Sequence, residues 1–459
     1  MSTSNVYFNR PEINDNCIRF TWDSDVLSNL FKEGKDFVEL EYHQQVLLDY
    51  EIAYNQLMAI FFPILHGAVE GDVTVEFAEK VSDSHIQRWI RHISNSKVSI
   101  FVISPTSTDS KLMSNIAKEK EGGVALLYGG GKDSLGALSL FSRIYREEKF
   151  SLLRIHWSRQ SITSHRSIFN KSVIEPLKEN IDFDYLECSS TLHINLKDVK
   201  TAHYVGINFH HACCLPFYAS KNFKLVNYSY DALEFFTSPN TGYSSLRPEK
   251  ARQTADLIRQ LGIPTAIRNI SFGIPSFAHF DLIVSDERRL LPLIYMCENV
   301  KERWCHNCRK CFTFALLCLE AGLPDHEVGI DYSRLFSSNG YIGTKVRPII
   351  EENIDSYSPI IAYGAQFSSL KHLLFNINPD LLVERQVLSL EQSWELQALV
   401  DMFAEKVPIT REVWTRAIQF EDPDNFLLTV NKLREIGMPC FDGGEITLEN
   451  HKTCTYEFE

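Results

Sequence analysis

The middle of the chain alternates short apolar segments with segments that carry apolar residues at helical spacing. Residues 124–128 and 152–157 are apolar enough to predict buried strands, and a third strand is predicted to start at residues 185–188. Residues 134–146 and 167–180 have the periodicity of amphipathic helices. Strands that alternate with helices in this way are typical of a parallel sheet covered on both faces. The sequence therefore predicts an α/β fold with a doubly wound parallel sheet.

A different pattern precedes this alternation. Alternating apolar and polar positions predict strands there, and longer apolar stretches predict helices. The predicted strands lie at residues 17–22, 37–42, 73–77 and 98–103, and the predicted helices at residues 47–66 and 84–94. We find no residue combination in this part of the chain that suggests catalysis. We expect residues 1–120 to form an N-terminal α+β accessory domain.

Beyond residue 330 the apolar positions follow helical spacing. The predicted helices lie at residues 393–406, 411–418 and 425–435. From Cys440 onward the alternation of polar and apolar residues predicts a small hairpin. We expect residues 331–459 to form a mainly helical C-terminal domain, which leaves residues 121–330 as the central domain. A chain of 459 residues is long enough for two or three domains.

Composition narrows the class of protein. The chain is 44% hydrophobic and 23% charged, which is ordinary for a globular protein. Its formal net charge of -13 argues against broad binding to nucleic acid or to anionic membranes. The longest apolar stretch, residues 57–65, contains Pro63 and is too short to span a bilayer. The N-terminus has no basic segment followed by an apolar one, so we expect no secretory signal and a cytoplasmic location.

A glycine-rich turn follows the first predicted strand of the central domain. The turn and the start of the next helix comprise Gly129, Gly130, Gly131, Lys132, Asp133 and Ser134. Uncovered backbone N–H groups and the positive end of the helix dipole both favour an anion such as phosphate. The spacing differs from the G-x-x-x-x-G-K-[ST] loop and from the G-x-G-x-x-G loop. We take these six residues as candidate phosphate-binding residues, with a plain glycine turn as the structural alternative.

An apolar stretch at residues 201–220 carries a concentration of histidines and cysteines. They are His203, His210, His211, Cys213 and Cys214. His210 and Cys214 would share one face of a helix, which allows a second metal site. Buried side chains of a core helix are the favoured explanation.

Other polar residues are predicted near the carboxyl ends of the strands, where ligands bind in open parallel sheets. Residues 156–159 end the second strand and would lie near a nucleotide base. Asp231 and Glu234 follow a predicted strand, where they could meet Mg²⁺ or substrate, and helix capping explains them equally well. Arg247 and Lys250 could meet substrate anions, although solvated surface charge is the favoured explanation.

Four clustered cysteines form the second strong motif. Cys297, Cys305, Cys308 and Cys311 are separated by seven, two and two residues. Four thiolates complete a tetrahedral Zn²⁺ site and leave no position for water, so we expect a structural role. Four cysteines can also hold an iron–sulfur cluster, and the spacing alone does not decide between these metals.

Together the two motifs resemble those of the PP-loop ATP pyrophosphatases, whose loop has the pattern S-G-G-x-D-S. Gly129 stands at the first position, where that family has serine, and the remaining positions match. The chain is similar to the UDP-N-acetylmuramoyl-L-alanyl-L-glutamate epimerases in this loop and in a run comprising Trp304, Cys305, Cys308, Lys310 and Cys311. It resembles the 7-cyano-7-deazaguanine synthases more distantly. The resemblance covers mainly residues 121–325, and residues 201–206 match the epimerases' Asn-Gly-His segment only faintly.

This resemblance implies a fold like that of the adenine nucleotide alpha hydrolases, and a shared chemistry. A substrate carboxylate attacks the α-phosphorus of ATP, pyrophosphate leaves, and an acyl-adenylate forms. Lys132, Asp133 and Ser134 would act on the leaving pyrophosphate together with Mg²⁺, because they can stabilise the charge that develops on it. An epimerase then needs a base for the α-proton, and the clustered candidates are His203, His210, Cys213 and Cys214.

Three functions are compatible with these motifs. The leading hypothesis is an ATP-dependent enzyme that adenylates a carboxylate, most like a peptidoglycan-precursor epimerase. The second is an amide-forming, nitrile-forming or conjugating ligase like the deazaguanine synthases, with phage defence as one conceivable setting. The third is a non-catalytic nucleotide-binding module. Glycine at residue 129, where the PP-loop family has serine, is the feature that supports this alternative. The expected partners are ATP and a carboxylate-bearing small molecule or peptide, and a homo-oligomer is compatible with the sequence.

Overall fold

The fold is described from a computed structural model of the chain. It covers residues 4–93, 99–103, 106–107, 122–148, 150–158, 160–198, 201, 205–229, 255–256, 258–259, 261–297, 301–348, 371–404, 413–415, 418–419 and 424–442. His203, Asp231, Glu234, Arg247 and Lys250 lie outside these described residues.

The strands lie mainly in the first two thirds of the chain. They are β1 Ser4–Phe8, β2 Glu12–Asn14, β3 Cys17–Asp23, β4 Phe37–Tyr42, β5 Val73–Phe77, β6 Val81–Ser82, β7 Ile100–Val102, β8 Thr106–Ser107, β9 Gly122–Leu127, β10 Phe150–His156, β11 Asp184–Ser190, β12 Phe223–Tyr228, β13 Ala266–Asn269, β14 Val413–Trp414 and β15 Cys440–Phe441.

The helices alternate with the strands and then dominate the described part of the chain after residue 276. They are α1 Asp25–Ser28, α2 Tyr50–Ala68, α3 Asp83–Ile93, α4 Lys132–Ile144, α5 Ile162–Phe169, α6 Glu175–Lys178, α7 Leu192–Asn195, α8 Gly206–Lys221, α9 Ser276–Asp286, α10 Arg309–Glu320, α11 Asp325–Val328, α12 Tyr332–Phe336, α13 Pro379–Glu384, α14 Leu390–Phe403 and α15 Phe426–Glu435. A π-helical segment, Asn170–Ile174, joins α5 to α6. No helix in the described ranges combines the length and the apolar character that a bilayer span requires.

One mostly parallel sheet organises the described residues. Its strands follow the order β13-β12-β9-β10-β11-β4-β3-β1-β5-β7, and β2 pairs with β3 beside them. The five strands from β13 to β11 are all mutually parallel. The predicted α/β class with a parallel central sheet is therefore confirmed.

The N-terminal strands extend this parallel sheet. β4 pairs antiparallel with β11, with Tyr42 opposite Cys188 and Leu40 opposite Ser190. The Gln56 side chain on α2 donates both to the Tyr42 hydroxyl and to the Ala212 carbonyl, each at 2.8 Å. These contacts join the sheet to α2 and α8. The division of the chain into three domains stays a prediction.

The sheet separates two hydrophobic cores, because successive side chains of a strand point to opposite faces. Val124, Leu126 and Tyr128 enter one core, which also contains α4, α9 and the described C-terminal helices. Ala125 enters the other core with α2, α8 and the N-terminal strands. Helices thus cover both faces, an arrangement compatible with a doubly wound fold.

One predicted segment needs correction, and another lies mostly outside the described residues. Residues 413–414 were predicted to be helical, and they form β14, which pairs in parallel with β15. Short apolar runs do not distinguish a strand from a helix by periodicity, which explains the wrong prediction. The hairpin predicted from Cys440 lies outside the described residues beyond residue 442, and the described residues 440–441 form β15.

A close crossing fixes α4 against α9. A Cβ atom at Gly136 would lie 2.8 Å from His279 Nδ1 and 2.9 Å from the His279 carbonyl oxygen. His279 is fully buried, so the neighbouring helix has little room to move. Glycine at 136 is what allows this approach.

We predict that Gly136→Ala destabilises the protein by about 1–3 kcal/mol, because overpacking outweighs the better helix propensity of alanine. Urea unfolding measures the change. Ser142→Ala, near the end of the same helix, serves as the control and should change stability by less than about 0.5 kcal/mol. An unchanged or raised stability of Gly136→Ala would contradict the close packing.

Candidate functional site

The strand order creates a crevice at one edge of the sheet. β9 is the central strand of the five parallel strands. The chain first adds β10 and β11 on one side of β9 and then adds β12 and β13 on the other side. Ligands of open α/β sheets bind beyond the carboxyl ends of the strands where the order reverses, which here means between β9 and β12. The glycine turn directly follows β9 at this point.

The glycine turn has a conformation that requires glycine at residue 130. Gly130 has φ 78°, and a Cβ atom there would lie 2.4 Å from Phe169 Cε2. The Tyr295 N–H donates to the Gly130 carbonyl at 2.7 Å. Gly131 is the N-cap of α4 and has no side chain to cap the first N–H groups of the helix. Donors at the start of α4 are therefore not covered by a capping side chain, as an anion site requires.

A cavity of about 370 Å³ lies beside the turn. Its walls come from the glycine turn, from the ends of β10 and β12, and from α5, α8 and the cysteine cluster. The lining residues are Leu127, Tyr128, Gly129, Gly131, Asp133, Ser134, Leu153, Arg154, Ile155, Trp157, His165, His210, Tyr228, Ser229, Tyr295, Met296, Cys297 and Lys310. This volume lies within the usual range for a small-molecule site.

Four of the six predicted loop residues line the cavity, namely Gly129, Gly131, Asp133 and Ser134. The Ser134 hydroxyl donates to the Gly131 carbonyl at 3.1 Å. Lys132 is largely buried beside them, and its Nζ lies 2.5 Å from Asp133 Oδ1. The loop thus places one cation, Lys132, and one carboxylate, Asp133, at the N-terminus of α4.

The cavity also contains residues that we did not single out from the sequence as ligand contacts. Arg154, His165 and Tyr295 line it, as do Ser229 and Lys310. Of the predicted segment 156–159, Trp157 lines the cavity and stacks on His193 with ring centroids 4.4 Å apart. His156 is buried away from it, and Arg159 lies outside the described residues.

The histidine-rich helix α8 contributes His210 to the cavity wall. Burial, with the nearby charge of Arg154 as the smaller cause, lowers the pKa of His210 to about 4. His211 is buried, and its Nδ1 atom lies 2.9 Å from the hydroxyl oxygen of Tyr218. Cys213 and Cys214 are fully buried, and burial raises the pKa of each thiol well above its usual range. Both thiols are therefore poor bases, and among the described residues only His210 of the predicted base candidates lines the cavity.

A buried polar network anchors α5 and its π-helical extension to β11. The Glu187 carboxylate accepts hydrogen bonds from Arg166 and Asn170, and its Oε2 lies 2.9 Å from His156 Nε2. Burial opposes ionisation of Glu187, but these hydrogen bonds lower its pKa below the usual range. Burial lowers the pKa of His156 to about 4, so the imidazole is neutral at pH 7. The network fixes Phe169, which lies between Arg166 and Asn170 and packs against Gly130.

The four clustered cysteines converge on one point. Cys297, Cys305, Cys308 and Cys311 have all their Sγ atoms within 4.8 Å of one another. The Cys311 Sγ lies 3.8 Å from that of Cys305 and 3.5 Å from that of Cys308. Zn–S bonds of about 2.3 Å in a tetrahedron separate sulfur atoms by about 3.8 Å, so the spacing suits a single ion. An iron–sulfur cluster needs its thiolates farther apart, because they bind different irons.

Neighbouring groups support this metal-binding geometry. The Asn307 N–H donates to Cys305 Sγ at 3.5 Å, as expected around a thiolate ligand. Cys308 is the N-cap of α10, and Cys311 lies in its first turn. The cluster could hold a structural metal such as zinc, and in the described residues it is the one group of this kind. A second metal site on α8 therefore has no support among the described residues.

The cysteine cluster is also part of the cavity wall. Met296, Cys297 and Lys310 line the cavity, and Lys310 stands between two of the cysteines in the chain. A metal held by these cysteines would fix this wall, although the four thiolates leave no position for a substrate.

Comparison with known proteins identifies no relative: no protein-family model, no curated protein and no solved structure matches the chain.

We predict that the purified protein carries one zinc ion per chain, and that Cys311→Ser lowers both the zinc content and the thermal midpoint of unfolding. Elemental analysis by mass spectrometry measures the content. Cys440→Ser changes a cysteine outside the cluster and should keep the zinc content of the unchanged protein. Wild-type protein that holds iron instead would contradict the choice of zinc, and full zinc occupancy in Cys311→Ser would contradict the four-cysteine site.

Proposed function

We propose that the protein is an ATP-dependent, AMP-forming enzyme that activates a substrate carboxylate as an acyl-adenylate. The observation that carries the proposal is the glycine turn at the carboxyl end of β9. It lies where the strand order reverses, opens into a cavity, and has a lysine and an aspartate directly after it.

The details of this loop favour pyrophosphate release over transfer of a terminal phosphate. Lys132 follows the glycines directly, so the loop is shorter than the loop that cradles the phosphates in P-loop NTPases. The resemblance to the PP-loop superfamily supports the same assignment, and the mostly parallel sheet is compatible with an adenine nucleotide alpha hydrolase-like fold. We therefore propose this specific fold as well.

The loop residues have distinct tasks in the proposed reaction. The substrate carboxylate forms a bond to the α-phosphorus while the bond to the pyrophosphate oxygen breaks. N–H groups at the start of α4 would stabilise the negative charge that collects on the leaving pyrophosphate. Lys132 would exchange its contact with Asp133 for one with a phosphate oxygen. Asp133 would then be available for Mg²⁺, which supplies further charge neutralisation when bound.

Asp133 fits a magnesium site of this kind. It is the one carboxylate among the cavity-lining residues that the structure describes, and its side chain is one-third exposed. Magnesium in nucleotide sites is commonly bound by one or two carboxylates together with phosphate oxygens and water. A single accessible carboxylate beside the loop meets that requirement.

For the fate of the adenylate we propose epimerisation next to the activated carboxyl, as in the muramyl-peptide epimerases that the motifs resemble. His210 supports this choice because it is the one described base candidate that lines the cavity. A neutral imidazole can accept the α-proton that adenylation makes acidic. Return of a proton to the other face of the α-carbon inverts the centre, and water then cleaves the acyl-adenylate to the free carboxylate and AMP.

The test uses UDP-N-acetylmuramoyl-L-alanyl-L-glutamate and magnesium ATP in deuterated water, followed by ³¹P and ¹H NMR. We predict AMP, pyrophosphate and loss of the α-proton signal of glutamate. Lys132→Met should slow AMP formation about 100- to 1,000-fold, the usual cost of losing one donor to developing charge. Arg146→Ala, an exposed cation just beyond α4, should have no effect.

A second substrate source separates the two parts of this proposal. If the epimerase substrate is inert but a small-molecule extract of cells yields AMP and pyrophosphate, adenylation stands and epimerisation is wrong. Formation of ADP, or no AMP with either source, would contradict the proposed function.

A further inference from the structure

The first position of the loop carries glycine instead of the serine of the PP-loop pattern, which removes one hydroxyl donor. A Cβ atom added at Gly129 would lie 3.7 Å from Arg154 Nη1 and 3.6 Å from Ser134 Oγ. Both are ordinary contact distances, so a serine would fit in the present backbone. The guanidinium of Arg154 therefore lies beside the place from which a serine hydroxyl would project.

Arg154 reaches this position from the neighbouring strand. It lies near the end of β10, and its Nη1 donates to the Gly129 carbonyl at 2.5 Å and more weakly to the Tyr128 carbonyl at 3.4 Å. The guanidinium lies over the ring of Phe169, 4.2 Å from its centroid. Phe169 in turn is fixed by Gly130 and by the Glu187 network. The two backbone carbonyls and the Phe169 ring thus determine the orientation of the Arg154 side chain.

Arg154 is also a charge that faces the cavity. It is one of the lining residues, although its relative exposure is only 9%. Burial is the main cause of the lowered pKa values of His156 and His210, and the positive charge of Arg154 is a smaller cause. A guanidinium keeps its charge at any physiological pH and presents five N–H donors in a planar fork that matches phosphate oxygens.

We propose that Arg154 binds the phosphate chain of the nucleotide and replaces the missing serine at the first position of the loop. The proposal rests on the proposed function and adds a binding residue to it. A short hydroxyl from the loop and a long cation from the adjacent strand are two ways to supply a donor at the same place. With Arg154 present, the lack of a serine hydroxyl at residue 129 does not weaken phosphate binding.

A double-mutant comparison of positions 129 and 154 tests this inference, with magnesium pyrophosphate as the probe and isothermal titration calorimetry as the measurement. We predict that Arg154→Met weakens binding about 10- to 100-fold, the range for a lost charged hydrogen bond. Arg154→Lys keeps a cation and should lose less. In the Arg154→Met background, Gly129→Ser should restore a substantial part of the lost affinity.

The control is Arg268→Met, which changes an arginine on β13 outside the cavity lining and should bind pyrophosphate like the wild type. Thermal unfolding shows which variants are folded. Wild-type binding in Arg154→Met would overturn the inference, and so would a loss that Gly129→Ser does not rescue, since Arg154 would then only support the loop. If the wild type itself fails to bind pyrophosphate, the proposed function fails, and this inference with it.

Discussion

The candidate site depends on one backbone hydrogen bond, from the Tyr295 N–H to the Gly130 carbonyl. It joins the turn after β9 to the segment that leads into the cysteine cluster. The ring of Tyr295 packs edge-on against Phe169 at 5.4 Å, and Phe169 occupies the space that a side chain at residue 130 would need. The glycine turn is therefore held between α5 on one side and the cysteine-cluster segment on the other. A metal at the cysteines would stabilise the turn through this contact.

The rest of the molecule supports this arrangement from a distance. The parallel strands put the ends of β9, β10 and β12 at one edge of the sheet, and α4 and α9 cross closely at Gly136. The N-terminal strands continue the sheet past β11, so that this strand is not left as an open edge. The Tyr42 hydroxyl donates to the Cys213 carbonyl at 2.9 Å, which fixes α8 and with it the wall that contains His210. The N-terminal part thereby contributes to the shape of the cavity without lining it among the described residues.

Local sequence patterns predicted the elements that depend on local physics. The strands at Phe37–Tyr42 and Val73–Phe77 match their predicted bounds, because their apolar residues alternate regularly. The glycine turn and the four cysteines were predictable since each motif is contiguous and needs few residue types. The convergence of the four sulfur atoms agrees with the predicted metal site.

Features that depend on the tertiary fold escaped prediction. β13 and α9 carry no distinctive pattern, and the pairing of β4 with β11 joins residues about 150 positions apart. Arg154 lies in a mainly apolar strand, and a charged residue at a buried strand position is unusual, which makes it a candidate for a functional role. Its position beside the glycine turn could not be derived from the sequence. The predicted base His203 lies outside the described residues, while His210 gained its place in the cavity only from the packing of α8.

The most direct test of the central claim is a crystal structure of the protein with magnesium pyrophosphate. We predict density for pyrophosphate at the start of α4, within hydrogen-bond distance of the backbone N–H groups of residues 131–134 and of the Lys132 ammonium. Pyrophosphate bound elsewhere, or a glycine turn filled only by water at millimolar ligand, would contradict it.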